Sequence, residues 1–272
     1  MTRIDRGGGW REAATAKRAK RALERQLAYQ RAKAERLRGH EAEKVADMVR
    51  HSRYVRDRIE TVAPVSDTAR VLEVGCGAHG LIFFFGTKDP VGIDPLSDHY
   101  AGLFPEWQDR ARTIAAYGEK LPFADGSFDI VLCDNVVDHA ENPRRIIEEI
   151  ARVLAPGGLL YFTVNVHHPF YHAAATAHAG WRALGIGFEI TPFADHTVHL
   201  TLAAARRLFR GLPVETLSEA DTIAATRRHR TPVRHAGDGL KRLFFKNALY
   251  EHIAVKRPAN QCVAAASSDM SA

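Results

Sequence analysis

The chain has 272 residues, 46% of them hydrophobic and 26% charged, with 38 Lys+Arg against 32 Asp+Glu. This is enough to bury a sizeable core, and it excludes collagen-like, wholly disordered and disulfide-scaffold classes. Apolar runs such as Leu81–Phe85 are too short to cross a bilayer, the N-terminus lacks an apolar signal core, and Cys76, Cys133 and Cys262 are scattered, so a soluble cytoplasmic protein is expected.

Residues 1–60 hold 17 Lys/Arg against nine Asp/Glu, and the rest of the chain is close to neutral. After Gly7-Gly8-Gly9, residues 10–37 are rich in Ala, Arg, Lys, Glu, Gln and Leu, which predicts a helix with a thin apolar face. A second, more amphipathic helix follows Gly39, with Val45, Met48, Val49, Val55, Ile59 and Val62 on its apolar side, and ends at Ala63-Pro64. Residues 1–62 therefore read as a basic helical extension and 63–257 as the main domain. In the main domain, strands are expected at Arg70–Val74, Pro90–Ile93, Arg112–Ala116, Phe128–Cys133 and Leu159–Val164, with later ones near Val214–Leu217 and Tyr250–Val255. A helix opens at Pro143, buries Ile146, Ile147, Ile150, Val153 and Leu154, and stops at Pro156-Gly157-Gly158. Alternating strands and crossover helices imply a parallel sheet covered on both faces. A His-rich insert spans about 165–198, a helix is expected at Thr201–Phe209, and 258–272 reads as a disordered tail.

The first strand runs into Glu73-Val-Gly75-Cys-Gly77-Ala-His-Gly80. Gly75 and Gly77 allow a tight turn and close backbone approach to a ligand, and a following helix would present its N-terminus there. On its own, Gly75-x-Gly77-x-x-Gly80 also fits a dinucleotide fingerprint, with Asp94 where a ribose-binding acid would sit, so a NAD(P)-dependent oxidoreductase stands as an alternative. Glu73 argues against it: a carboxylate there repels pyrophosphate and suits a ligand carrying ammonium and sulfonium charges. Downstream come Leu121-Pro-Phe123, Phe128-Asp129 and Arg152-Val-Leu-Ala-Pro-Gly-Gly158.

With these motifs in order, residues 69–165 resemble the class I S-adenosylmethionine (SAM)-dependent methyltransferases. The resemblance implies a Rossmann-like α/β fold with a seven-stranded, mostly parallel sheet, its last strand antiparallel, and SAM across the carboxyl ends of the first strands. It implies that Glu73, Gly75, Cys76 and Gly77 surround the methionine part of SAM, that Asp94 and Pro95 meet the ribose, that Gly118 and Glu119 hold the adenine, and that Asp134 and Asn135 lie where sulfonium and acceptor meet. Tyr117 departs from the Asp that many relatives carry there. Helices ahead of the first strand often cover the pocket in such proteins, which points to Arg53 or Tyr54.

For a base, His139 and His167 follow the fourth and fifth expected strands. His167, His168, His172, His178, His196 and His199 show no metal-ligand spacing, so no metal is expected. The expected acceptor is a small molecule, glycan or lipid-linked compound. RNA methylation through residues 10–38, binding of an anionic surface there, and a non-catalytic SAM-binding subunit are the alternatives.

Overall fold

The computed structural model describes residues 9–170, 199–228, 245 and 247–258. Most of the 165–198 insert and the tail after Pro258 lie outside them, as do His172, His178, His196 and Cys262. Seven strands, β1 (Val71–Val74), β2 (Val91–Ile93), β3 (Arg112–Ile114), β4 (Phe128–Asp134), β5 (Leu154–Val166), β6 (Val214–Asp221) and β7 (Ala248–Lys256), form one sheet in the order β3-β2-β1-β4-β5-β7-β6. From β3 through β5 all pairings are parallel, while β7 runs antiparallel to both of its neighbours. The order reverses between β1 and β4. In open α/β sheets that switch point, at the carboxyl ends of the strands, is where ligands bind.

Helices α1 (Gly9–Leu37), α2 (Glu41–Glu60), α3 (Ser97–Leu103), α4 (Pro105–Gln108), α5 (Pro143–Val153), α6 (Leu202–Arg207) and α7 (Ile223–Arg228) complete the described elements. Asn142 caps α5 by accepting from the Arg145 N–H at 3.1 Å, Pro143 opens its first turn, and Ile146, Ile147, Ile150 and Val153 are buried against one sheet face. On the other face, Val55 and Ile59 of α2 pack with Val71, Ile130, Leu132, Tyr161 and Ile253. A third cluster joins Met48 of α2 to Phe83, Tyr100, Phe104 and Trp107, with Leu23, Leu27, Ala34 and Leu37 of α1 half-buried at its edge. So α2 is part of the core, whereas α1 lies against its rim.

Two local expectations change. No α-helix follows the glycine turn. The chain makes two short 3₁₀ turns instead, Gly77–His79 and Leu81–Phe83. Gly80 is extended between them (φ −61°, ψ 160°), and a side chain on it would run into the Glu73 carboxylate. The helix N-terminus that a pyrophosphate would need is therefore absent from this loop. The second change concerns β5, which starts at Leu154 as α5 ends. Pro156 and Gly157 (φ +78°) form an exposed bulge, and the pairing with β4 resumes at Leu159.

Candidate functional site

Four adjacent strand ends define the site. The turn after β1 is tied to β2, because the Gly75 and Cys76 N–H groups both donate to the Ile93 carbonyl, at 2.8 and 3.0 Å. Gly75 has φ +74°, and a Cβ there would sit 2.5 Å from the Val136 side chain, so β1 and the segment after β4 close together only over glycine. Gly77 differs: its φ is +53° and the place of a Cβ is open space. A ligand can reach the backbone there.

Glu73 is buried in the floor of this turn. Its two oxygens accept the Leu81 and Ile82 N–H groups at 3.1 and 3.0 Å, which fixes the second 3₁₀ turn. Burial pushes its carboxyl up to about 7, against the pull of those two amides. Asp94 directly follows β2, and its Oδ1 accepts from the Leu96 N–H (2.9 Å) and the Tyr100 hydroxyl (3.1 Å). Burial raises its pKa, and the Leu96, Tyr100 and Gly77 donors oppose that. Pro95 is half-buried in the turn leading to α3. Burial also holds the Cys76 thiol well above its ordinary pKa, so it is a packed group rather than a nucleophile.

Beyond β3, Gly118 sits against the end of β1, with a Cβ position 3.0 Å from Val74 Cγ1 and 3.2 Å from Ile146 of α5. Glu119 Oε1 lies 3.5 Å from the Asn142 N–H, and Tyr117 is exposed. One side chain staples this loop. Arg152 donates to the Leu121 and Phe123 carbonyls at 3.1 and 2.8 Å, and also to Asp125 and Glu149. Glu149 in turn accepts the Leu121 N–H at 2.9 Å. The Leu-Pro-Phe and Arg-Val-Leu motifs are thus two halves of one hydrogen-bonded unit.

At the end of β4, Asp134 accepts from the Thr163 hydroxyl of β5 and from His51 Nε2 of α2 at 2.8 Å. Asn135 (φ +56°) donates its N–H to Thr163 and accepts both the N–H and the side-chain amide of Asn165. His139 is exposed on a 3₁₀ turn, 3.8 Å from buried Asp138. His167 follows β5, is 1% exposed, and accepts the Asn247 N–H on Nδ1 at 3.3 Å. Arg53 and Tyr54 of α2 are exposed. The α2 residue that reaches the strand ends is His51, which the sequence did not single out. Its one sequence signal is its place beside the buried stripe Met48, Ser52, Val55 and Ile59. No cluster of metal-ligating side chains occurs among the described residues, and no helix among them is long and apolar enough to cross a membrane.

A profile described as a methyltransferase domain matches residues 72–162, from β1 through most of β5. Residues 72–162 thus carry a methyltransferase domain, and its fold is that of the class I SAM-dependent methyltransferases. SAM is that domain's cofactor. The fold agrees with the YcgJ protein from Bacillus subtilis (TM-score 0.55, 20% identity, 77% of this chain and 100% of that one). It also agrees with a geranyl diphosphate methyltransferase in complex with SAM (TM-score 0.55, 15% identity, 81% and 91%). Among curated proteins, the chain is 30% identical over 145 residues to the thiol S-methyltransferase TMT1B of Rattus norvegicus. That alignment covers 49% of this chain and 59% of the relative's length. The methyltransferase domain fits the cofactor chemically. The backbone at Gly77 is open and the Asp94 carboxylate stands beside it, so the turn offers backbone groups and an acid to a polar, cationic ligand.

Proposed function

We propose that the chain transfers a methyl group from SAM to a small-molecule acceptor. One observation carries this reading: the open backbone at Gly77 follows the strand whose two neighbours end in acids, Asp94 just after β2 and Asp134 at the end of β4. In this reading Gly75, Cys76 and Gly77 cradle the methionine part, and Glu73 acts by fixing their turn. Asp94 and Pro95 hold the ribose, whose two hydroxyls suit carboxylate acceptors, and Gly118 and Glu119 border the adenine. Asp134 and Asn135 face the acceptor side. Bound there, SAM supplies a methyl carbon attached to a positively charged sulfur. The protein's task is then to hold a nucleophile in line with that carbon, which can contribute about 7–11 kcal/mol. Of the two histidines expected as bases, His139 is exposed and His167 is buried.

The likeness to a thiol S-methyltransferase makes thiols the first acceptors to test. We place the enzyme in a reducing, cytoplasmic setting, in keeping with its buried free thiols Cys76 and Cys133. Calorimetry with SAM and with S-adenosylhomocysteine tests the site directly. The wild-type protein should bind both, and Asp94→Ala should weaken binding at least tenfold, since the loss of a charged hydrogen-bond acceptor is worth about 1.5–3 kcal/mol. Unchanged affinity in that variant would take Asp94 out of the site. Labelled SAM offered with thiols, small-molecule extracts, lipids and RNA then identifies the acceptor.

A further inference from the structure

The chain before β1 brings a side chain to the carboxyl ends of the strands. His51 stands on α2, 83 positions before Asp134 in sequence, and its Nε2 meets Asp134 Oδ2 at 2.8 Å. Asp134 is itself held on its other oxygen by Thr163, so the carboxylate is fixed from β5 and aims at the helix. A carboxylate only accepts, so the neutral ring donates Nε2–H to it and keeps Nδ1 as the free acceptor nitrogen. The imidazole is half-exposed, at the strand ends beside the open turn. Ser52, the next residue, is buried and donates to the Leu81 carbonyl at 2.9 Å, which anchors α2 to the same 3₁₀ turn that Glu73 holds. The helix therefore cannot slide without disturbing the cofactor loop.

We propose that His51, oriented by Asp134, is the catalytic residue that takes the acceptor's proton during methyl transfer to a thiol or hydroxyl. This rests on the cofactor site proposed above. The acceptor's lone pair forms the new bond to the methyl carbon. The carbon–sulfonium bond breaks with its electron pair passing to sulfur, and the acceptor's proton ends on Nδ1. Asp134 stabilises the resulting imidazolium, which returns its proton to solvent. Such an arrangement is the histidine–carboxylate half of a hydrolase triad, with the methyl acceptor in the nucleophile's place.

The groups facing the ring are Asp134 of β4, Glu73 of β1 and Lys44 of its own helix. The Asp134 hydrogen bond raises the pKa of His51, against desolvation and Lys44. The free base is the working form, so turnover should rise with pH through that ionisation, and Asp134→Asn should move the rise to lower pH.

Two measurements test the role. In His51→Gln, S-adenosylhomocysteine should bind as in wild type by calorimetry. Methyl transfer should fall about 10²- to 10⁴-fold with an alcohol or alkyl thiol, and much less with an acidic thiol that is already ionised. Independently of turnover, nitrogen NMR of the His51 ring should show the neutral form protonated on Nε2 and bare on Nδ1. An Nδ1–H tautomer, wild-type turnover in His51→Gln, or equal losses for acidic and non-acidic acceptors would overturn the proposal while leaving the cofactor site standing. Failure of the wild-type protein to bind S-adenosylhomocysteine would remove both.

Discussion

The two N-terminal helices are both rich in charged residues but have unequal places in the structure. On α1, Leu23, Leu27, Ala34 and Leu37 are only half-buried, and the arginines at 25, 31 and 36 are exposed. On α2, Met48, Ser52, Val55 and Ile59 are buried, spaced by four, three and four residues, and the helix is bound at both ends of that stripe. Ser52 meets the loop after β1, and Arg58 makes a 2.6 Å ion pair with buried Glu251 of β7. A helix with few apolar residues becomes integral when its polar side chains also find partners on the sheet. Length and helix propensity, which favour α1, decide much less.

The sharpest way to break this contrast is Ile59→Ala. Ile59 is fully buried against β1, β4 and β7, so the loss should be about 2–5 kcal/mol in chemical denaturation. A cost below about 1 kcal/mol would mean that α2 is a rim element like α1.

A middle-sized effect is expected at Glu73→Gln. One of the two amide donors at Leu81 and Ile82 would lose its acceptor, at about 1–3 kcal/mol, and the floor under Ser52 would loosen. This variant also carries a pH signature. Glu73 ionises at about 7 in the folded protein against 4.5 for the ordinary group, so the folded state favours its protonated form. Its contribution is full below pH about 4.5 and is lost as pH rises to about 7. The stability of wild type relative to Glu73→Gln should therefore decline across that window, and a flat difference would contradict the buried carboxyl.

The smallest effect should come from α1. Leu27→Ala removes a half-buried side chain and should cost about 1 kcal/mol or less, without altering S-adenosylhomocysteine affinity. A larger loss would put α1 in the core.

Much of this molecule was legible from local pattern. The strands, the α5 helix with its Pro143 start and isoleucine face, and the glycine turn all follow from spacing that nearby residues determine. The misreadings share a physical cause. The helix expected after Gly77 is replaced by 3₁₀ turns because Glu73, eight and nine positions upstream, takes the amides of Leu81 and Ile82, and Gly80 fits only without a side chain. Arg152 was visible within a motif, but its four partners in the 121–125 segment and at Glu149 become apparent only when α5 lies beside that loop. His51 was missed for the same reason, since nothing near residue 51 announces an acid at the end of β4. The burial of His167, whose contacts with Leu200 and Asn247 come from much later in the chain, is likewise not written near residue 167.

The 193 residues that separate Arg58 from Glu251 have a consequence for how the protein is made. On a ribosome adding about 5–20 residues each second, the second helix emerges roughly 10 to 40 s before its β7 partners. Throughout that interval Val55 and Ile59 have no finished sheet to rest on. The nascent chain thus carries a sticky stripe through most of its synthesis, and newly made protein is the population in which aggregation or chaperone capture should concentrate.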